Sequence, residues 1–373
     1  MSVAYIAQRY HKCNALSSIF FVTADTWTCA AIIFLTKVPA SSSLECFADT
    51  AFFVMKLRIL YHGNCFDGVS SAAIFTKFFL ATVNADAEVA YTPTMHRAGN
   101  AFDREQFDGD ENAIVDFKYC PDERLTWWFD HHQSAFLSKE DEQHFLADTS
   151  GQKFLDTTSK SCAEFIARVA KEKYGFEDES LAELIEWAHI IDGALYESPA
   201  QCVELRSSAL KLMQVIEGEK DVAFVEKIIR SLTARTLDEI VESNEIQAKL
   251  EPILERHWKT VELIKERAVY DRGVVIFDLT DTGIDGYNKF IPYYFYPETT
   301  YNVSLTRSDF RTKISVGSNP WAPRPRIHNI AEICERYGGG GHAVVGAVSL
   351  KREDLELGKQ YMKEIVEELQ FAE

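Results

Sequence analysis

The feature that most constrains the fold is the tripeptide Asp130-His131-His132, which follows directly after the apolar run 125–129. A short apolar run of this kind indicates a buried strand, and α/β proteins usually build their sites at strand ends. One carboxylate and two imidazoles at such a position suit Mn²⁺, Fe²⁺ or Zn²⁺. For an isolated triplet, however, a polar strand-to-helix turn with Asp130 as N-cap is the better interpretation.

Three further aspartates occur in the same context, each closing a short apolar run. They are Asp67, in the loop 62–68 that follows the run 57–61; Asp116, after the run 113–115; and Asp192, after the run 185–191, whose spacing is helical. One aspartate after a strand is ordinary. Four of them, together with His62, His131 and His132, favour a dinuclear metal site.

This set of motifs resembles the DHH phosphoesterase superfamily, which includes RecJ-like exonucleases, short-oligoribonucleotide hydrolases and cyclic-nucleotide phosphodiesterases. Segments 61–68, 115–117, 130–132 and 192–193 are similar, in order, to the first four motifs of the family. The run Gly338-Gly339-Gly340-Gly341-His342 is similar to the glycine-rich signature of its associated C-terminal domain, which holds the substrate phosphate. Without the family, the run predicts a glycine turn whose backbone N–H groups can bind a phosphate, and a helix C-cap with extra glycines is the alternative.

The resemblance implies an α/β fold in which the active site lies in an interdomain cleft. We expect an N-terminal extension outside the core (1–54), a parallel-sheet DHH domain with flanking helices that binds metal and is catalytic (55–218), a helical linker (219–268) and a smaller C-terminal α/β domain that binds the substrate phosphate (269–373). Helical spacing predicts one or two long helices over 219–267, kinked or restarted at Pro252. It also predicts a helix over 285–294.

The resemblance implies a role for each matched residue. The expected metal ligands are His62, Asp67, Asp116, His131 and Asp192, with Asp116 bridging. The expected catalytic residues are His132, facing the scissile phosphate or leaving oxygen, and Asp130, orienting a ligand histidine. The expected substrate-binding residues are Arg307, Gly339, Gly340, Gly341 and His342. For His132 a core or capping histidine, and for Arg307 a solvated strand end, are the structural alternatives.

The implied chemistry is hydrolysis of a phosphoester by water that one or two Mn²⁺ ions convert to hydroxide, with Mg²⁺, Co²⁺ or Zn²⁺ as alternatives. One departure concerns the first motif, where Cys65 stands in place of the usual first aspartate. Either His62 and Asp116, with Asn64 or Cys65, hold a weaker ion, or only one ion binds tightly. A thiolate ligand would favour a metal softer than manganese.

Composition favours a small substrate. The formal net charge is −18, and no cluster of lysine or arginine interrupts it, so long nucleic acids are repelled. We therefore expect a short oligoribonucleotide or cyclic nucleotide as substrate, no long nucleic acid, no membrane partner and a possible homodimer. Two other hypotheses stay open: a phosphatase or pyrophosphatase of the same architecture, and a nucleotide-binding regulator impaired by Cys65.

The first 54 residues differ from the rest, with three Lys or Arg against three Asp or Glu. We interpret Met55 as a natural start, because the first strand opens directly after it. The segment 17–35 is apolar enough for a signal peptide or membrane anchor to be the alternative. Without a signal sequence we expect a cytoplasmic protein whose eight cysteines are reduced, and no Cys-x-x-Cys pair is present.

Overall fold

Five parallel strands form the sheet that carries the first four motifs. In the computed structural model, which describes residues 54–95 and 102–371, they are β1 (Lys56–His62), β2 (Glu88–Thr94), β3 (Glu111–Val115), β4 (Trp127–Asp130) and β5 (Lys153–Leu155). The order is β2-β1-β3-β4-β5, and neighbouring strands are parallel. Because the carboxyl ends of parallel strands share one edge, the residues that follow β1, β3 and β4 lie near one another.

Six helices follow or cover this sheet. They are α1 (Phe66–Thr82), α2 (Lys139–Leu146), α3 (Cys162–Tyr174), α4 (Ala182–Asp192), α5 (Pro199–Glu204) and α6 (Ser208–Gly218). An aromatic cluster fixes α1 on the sheet: the Phe75 ring centroid lies 5.7 Å from Trp127 and 5.8 Å from Phe129, both on β4. These rings are fully or almost fully buried, so their contacts hold the start of α1 beside the strand ends.

The segment predicted as one or two helices contains three, namely α7 (Val222–Leu232), α8 (Leu237–Val241) and α9 (Asn244–Arg267). Val225 and Ile228 of α7 are buried in the same core as α1. The helix restart predicted at Pro252 is wrong, because α9 continues through this residue, and the alternative of a kink stays a prediction. Proline removes the hydrogen bond to the carbonyl of Ala248, which lies on the exposed side of α9, where solvent can replace it.

A second, mixed sheet lies towards the C-terminus. Its elements are β6 (Val269–Asp271), β7 (Val274–Asp278), α10 (Ile291–Phe295), β8 (Tyr301–Arg307), β9 (Arg311–Ser318), α11 (Ile330–Arg336), β10 (Gly340–His342), β11 (Val345–Lys351) and α12 (Leu355–Leu369). The order is β10-β11-β9-β8-β7-β6, with β7 and β8 parallel. Helices α11 and α12 supply buried side chains to its core. The predicted fold class, α/β with an N-terminal parallel sheet and a second sheet, is confirmed.

Two local predictions in this second sheet are wrong. The helix expected over 285–294 is limited to Ile291–Phe295, because Asn288 folds the preceding loop by accepting the N–H of Phe290 and donating to the carbonyl of Cys202. Part of the glycine run, expected to form a turn, is the edge strand β10. Its close approach to β11 requires glycine, since a Cβ on Gly339 would lie 2.2 Å from the carbonyl oxygen of Ala347.

Within the described ranges, no helix combines the length and the apolar character that crossing a bilayer requires. The expectations about the extension 1–54 fall outside the described residues, apart from Val54. The boundaries at 218 and 268 stay predictions.

Gly68 allows the start of α1 to touch the end of β1. A Cβ at this position would lie 2.2 Å from the carbonyl oxygen of His62. We therefore expect Gly68→Ala to lower the free energy of unfolding by about 1–3 kcal/mol, because backbone has to move. Urea denaturation measures the change. Gly286→Ala is the matched control, since a Cβ there meets nothing within 4 Å; equal unfolding midpoints for the two variants would contradict the assignment.

Candidate metal centre

Seven polar side chains meet at the carboxyl edge of the first sheet, and we call them the acid–histidine cluster. His62 ends β1, Asp67 lies in the first turn of α1, Asp116 follows β3, Asp130 ends β4, His131 and His132 come next, and Asp192 ends α4. The structure thus brings together all seven residues that the sequence proposes as ligands or catalytic groups. Their individual roles stay predictions.

His131 lies at the middle of the cluster. Its Nε2 is 3.3 Å from Asp116 Oδ1, 3.5 Å from Asp192 Oδ2 and 3.7 Å from Asp67 Oδ2. Its Nδ1 is 3.1 Å from the carbonyl oxygen of Ser159, and we assign the ring proton to that bond. Nε2 is buried and makes no hydrogen bond within the described residues. A ring nitrogen that faces three carboxylates, with its other nitrogen held by a carbonyl, has the environment of a metal ligand.

Asp116 contacts two histidines through its two oxygens. Oδ2 lies 3.3 Å from His62 Nδ1, and Oδ1 lies 3.3 Å from His131 Nε2. The residue has a φ of +56°, in the left-handed region that aspartate tolerates better than branched residues do. Its side chain is 1% exposed, and Oδ1 has no hydrogen bond within the described residues. A buried carboxylate oxygen without a donor is unfavourable unless a cation accompanies it.

Asp67 is held by a helix that lies far from it in sequence. Its oxygens accept the backbone N–H groups of Cys162, at 2.6 Å, and Ala163, at 3.0 Å. These are the first residues of α3, where backbone donors lack intrahelical partners and the helix dipole favours a negative charge. The sequence marks this start, because Ser161 is an N-cap with Glu164 three residues later. It gives no signal that Asp67 reaches that position.

Asp130 orients His132. Asp130 Oδ1 accepts the backbone N–H groups of His131, at 2.8 Å, and His132, at 3.3 Å, and lies 2.7 Å from His132 Nδ1. The carbonyl of Ser159 orients His131 instead, a partner that the sequence analysis missed. With Nδ1 of His132 engaged, Nε2 is the nitrogen left for a ligand or a proton.

The cluster divides into two groups that could each hold a cation. Donor atoms within 4.8 Å of one another come from His62, Asp116 and His132 in one group, and from Asp67, His131 and Asp192 in the other. The contact between Asp116 and His131 joins them. Nitrogen and carboxylate oxygen donors of this kind suit Mn²⁺, Fe²⁺ or Zn²⁺. The first group thus contains His132, which the sequence analysis assigned to catalysis.

Cys65 belongs to neither group. It is the N-cap residue of α1 and is half-buried. Burial, and then the charges of Asp116 and Asp67, raise the pKa of its thiol well above the usual value. The thiol is therefore neutral while these carboxylates are charged, and the thiolate ligand considered from the sequence stays a prediction.

The carboxylates of the cluster repel one another, so a positive charge placed among them is favourable. Burial, and then the charge of Asp116, raise the pKa values of Asp67 and Asp192. Burial opposes ionisation of Asp116, but its contacts with His131 and His62 outweigh burial and lower its pKa to about 2. Burial also opposes a charge on His131, yet its contacts with the carboxylates raise the pKa to about 10. A proton on His131 is the smallest cation that meets this demand, and a divalent ion meets it better.

The residues predicted to bind the substrate phosphate lie in the second sheet. Arg307 ends β8, and its Nε donates to the carbonyl of Arg352, 3.2 Å away. Gly340, Gly341 and His342 form β10, while Gly339 precedes it. Packing against β11 accounts for Gly339 and for Gly341, whose Cβ would lie 2.3 Å from the carbonyl oxygen of Val345. Their role in binding phosphate stays a prediction.

A cavity of about 720 Å³ lies beside Asp192, and we call it the side cavity. Ile191 and Ala194, on either side of Asp192 in sequence, are part of its wall. Residues of α6, α9 and the loop 282–290 complete it. The family resemblance predicts an interdomain cleft, but no sequence motif marks these residues as part of a site.

No family model and no curated protein matches the chain. Solved structures do match it. A pGpG-specific phosphodiesterase from Vibrio cholerae, PggH, superposes with a TM-score of 0.61 at 19% identity, over 83% of this chain and 98% of that one. The DHH domain of a protein described as a member of a family of ribosomal proteins superposes with a TM-score of 0.53 at 14% identity, over 85% of this chain and 88% of that one.

Both comparisons extend over most of the two chains, so they include the parallel sheet, the intervening helices and the second sheet together. At these identities they establish the fold. The resemblance noted from the motifs at 61–68, 115–117, 130–132 and 192–193 is confirmed at that level, and the chain has the fold of the DHH-domain proteins.

Proposed function

We propose that this protein is a metal-dependent phosphodiesterase that hydrolyses short linear oligoribonucleotides, dinucleotides included. The observation that carries the proposal is the pair of ligand groups joined by Asp116 and His131, in which buried donor atoms lack hydrogen bonds. Two adjacent cation sites are typical of enzymes that cleave phosphate esters. The similarity in fold to a pGpG-specific phosphodiesterase supports the choice of substrate class.

His62, Asp116 and His132 would hold one cation, and Asp67, His131 and Asp192 the other, with Mn²⁺ as the first choice for this set of nitrogen and oxygen donors. When bound, the ions would lower the pKa of water and neutralise negative charge on the phosphate.

The chain itself supplies orientation. Asp130 fixes the His132 ring, the carbonyl of Ser159 fixes the His131 ring, and the start of α3 fixes the Asp67 carboxylate. Because each of these three side chains is held by a second contact, they need little reorganisation when a cation or phosphate binds. Nε2 of His132, beside the cluster, could give a proton to the leaving oxygen if it does not bind metal.

The charge of the protein favours short substrates. A formal net charge of −18 repels a long phosphate backbone, and repulsion grows with the number of phosphates near the surface. A single phosphate bound at the cation sites experiences little of this repulsion. The side cavity has a volume within the range of small-molecule sites, so a nucleotide attached to that phosphate has a place to bind.

A panel of substrates tests the proposal. The full chain is incubated with pGpG, pApA, a heptameric RNA, 3′,5′-cyclic GMP and inorganic pyrophosphate, each with Mn²⁺, Mg²⁺, Zn²⁺ or EDTA. We expect mononucleotides from the linear substrates with Mn²⁺ and none with EDTA. Cleavage of pyrophosphate alone would replace the proposal with a pyrophosphatase. Cleavage of none, by folded protein that contains metal, would indicate a nucleotide-binding regulator.

Asp116→Asn removes the charge at the junction of the two groups and keeps the side-chain shape. Asparagine also tolerates the left-handed backbone at this position. We expect turnover to fall at least about 100-fold, because even a residue behind a ligand costs 10–100-fold. Bound metal, measured by elemental analysis, should fall as well, while the melting temperature is maintained. Asp86→Asn, on an exposed loop, is the matched control; wild-type turnover by Asp116→Asn would exclude this site.

Metal binding should release protons. In the metal-free protein the pKa of His131 is raised to about 10, so the ring is protonated at pH 7–9 and must lose a proton to bind metal. The apparent affinity for Mn²⁺ should therefore increase as pH rises towards 10, by about tenfold per pH unit for one proton. Calorimetry in two buffers of different ionisation enthalpy counts the protons. The His131→Gln variant should release one proton fewer on binding Mn²⁺. An affinity for Mn²⁺ that is constant between pH 7 and 9 would contradict the assignment.

A further inference from the structure

The side cavity contains polar side chains for which the protein provides no partner. Gln214 and Glu217 lie three residues apart on α6, and Arg256 faces them from α9. Within the described residues, none of these three side chains makes a hydrogen bond or an ion pair. The other acid in the wall, Asp285, differs because Arg311 binds both of its oxygens, at 3.1 and 2.8 Å. An amide, a carboxylate and a guanidinium are thus available to a ligand.

The side cavity is electrostatically linked to the acid–histidine cluster through Tyr196, which lines it. Burial is the largest cause of the raised pKa of Tyr196, followed by the charges of Cys202, Glu217 and Asp192. Glu217 and Asp192 therefore both lie close enough to act on the same hydroxyl.

The walls near Tyr196 suit a flat aromatic ligand. Tyr196 and Phe290 meet edge to face, with ring centroids 5.5 Å apart at 71°. Ring faces and edges of this kind pack against nucleobases without regard to sequence. Hydrogen bonds must then decide which base is accepted.

Of the common bases, guanine is the one that matches the free groups. Its N1–H and its exocyclic amino group lie side by side and can both donate to one carboxylate, such as that of Glu217. Its O6 and N7 are acceptors that a guanidinium or an ammonium can bind, and Arg256 and Lys289 supply these. Adenine would place the lone pair of N1 against the carboxylate, and two acceptors that face each other form no hydrogen bond.

We propose that the side cavity is a base pocket and that Glu217 selects guanine in the nucleotide next to the scissile phosphate. This inference rests on the proposed function, since it assigns the specificity of that same site.

Kinetics with two dinucleotides test the pocket. The wild-type protein should hydrolyse pGpG with a higher kcat/KM than pApA, and Glu217→Gln should reduce the ratio of the two values at least about fivefold, because a bidentate pair contributes about 1–3 kcal/mol of discrimination. Glu251→Gln, an exposed acid on α9, is the matched control and should keep the ratio. An unchanged ratio in Glu217→Gln would overturn the pocket while leaving the phosphodiesterase proposal intact.

Binding of the products separates the two proposals. Calorimetry with GMP and AMP needs no turnover, and we expect the wild-type protein to bind GMP more tightly and Glu217→Gln to lose that preference. If no dinucleotide is cleaved but the GMP preference depends on Glu217, the pocket stands and the proposed function fails. Equal affinities for GMP and AMP in the wild-type protein would overturn the pocket. Glu217→Ala, with its melting temperature recorded, provides a second variant for both measurements.

Discussion

The structure depends on the concentration of negative charge at one edge of a parallel sheet. Three carboxylates lie within 3.7 Å of the same imidazole nitrogen, and a fourth lies behind the neighbouring histidine. Such a group is unstable without compensation, because burial weakens solvation and like charges repel. The surrounding backbone supplies part of this compensation through the first N–H groups of α3 and the N–H groups that follow β4. A cation could supply the rest, so the same feature that opposes folding makes the cluster a candidate metal centre.

The position of a site residue could be predicted from the sequence where that residue comes at the end of its own strand. His62, Asp116 and Asp130 each come at the end of an apolar run, and parallel pairing brings such ends together, so their meeting could be predicted. A contact could not be predicted where the partner of a site residue lies far away in sequence. The carbonyl of Ser159 and the N–H groups of α3 contact the cluster through tertiary packing, and no local pattern encodes this. The membership of His132 in a ligand group likewise depends on ring orientation.

Predictions of helices failed for a related reason. Spacing over 285–294 resembles a helix, but Asn288 satisfies backbone groups through its side chain and leaves only the last turn helical. In α9 the opposite occurs, because Pro252 lies where solvent can replace the missing hydrogen bond. In the glycine run, pairing with β11 outweighs the preference of glycine for a turn. In each case tertiary context or solvent decides between conformations that local sequence leaves close in energy.

The bond between Asp67 and the start of α3 also sets an order on biosynthesis. Asp67 leaves the ribosome roughly a hundred residues before Cys162 and Ala163, the two residues whose N–H groups hold it. Until α3 has emerged and docked, the nascent chain carries these carboxylates as separate, hydrated groups. The acid–histidine cluster is consequently assembled late in the maturation of this protein, and a chain whose synthesis stops before α3 has no formed cluster.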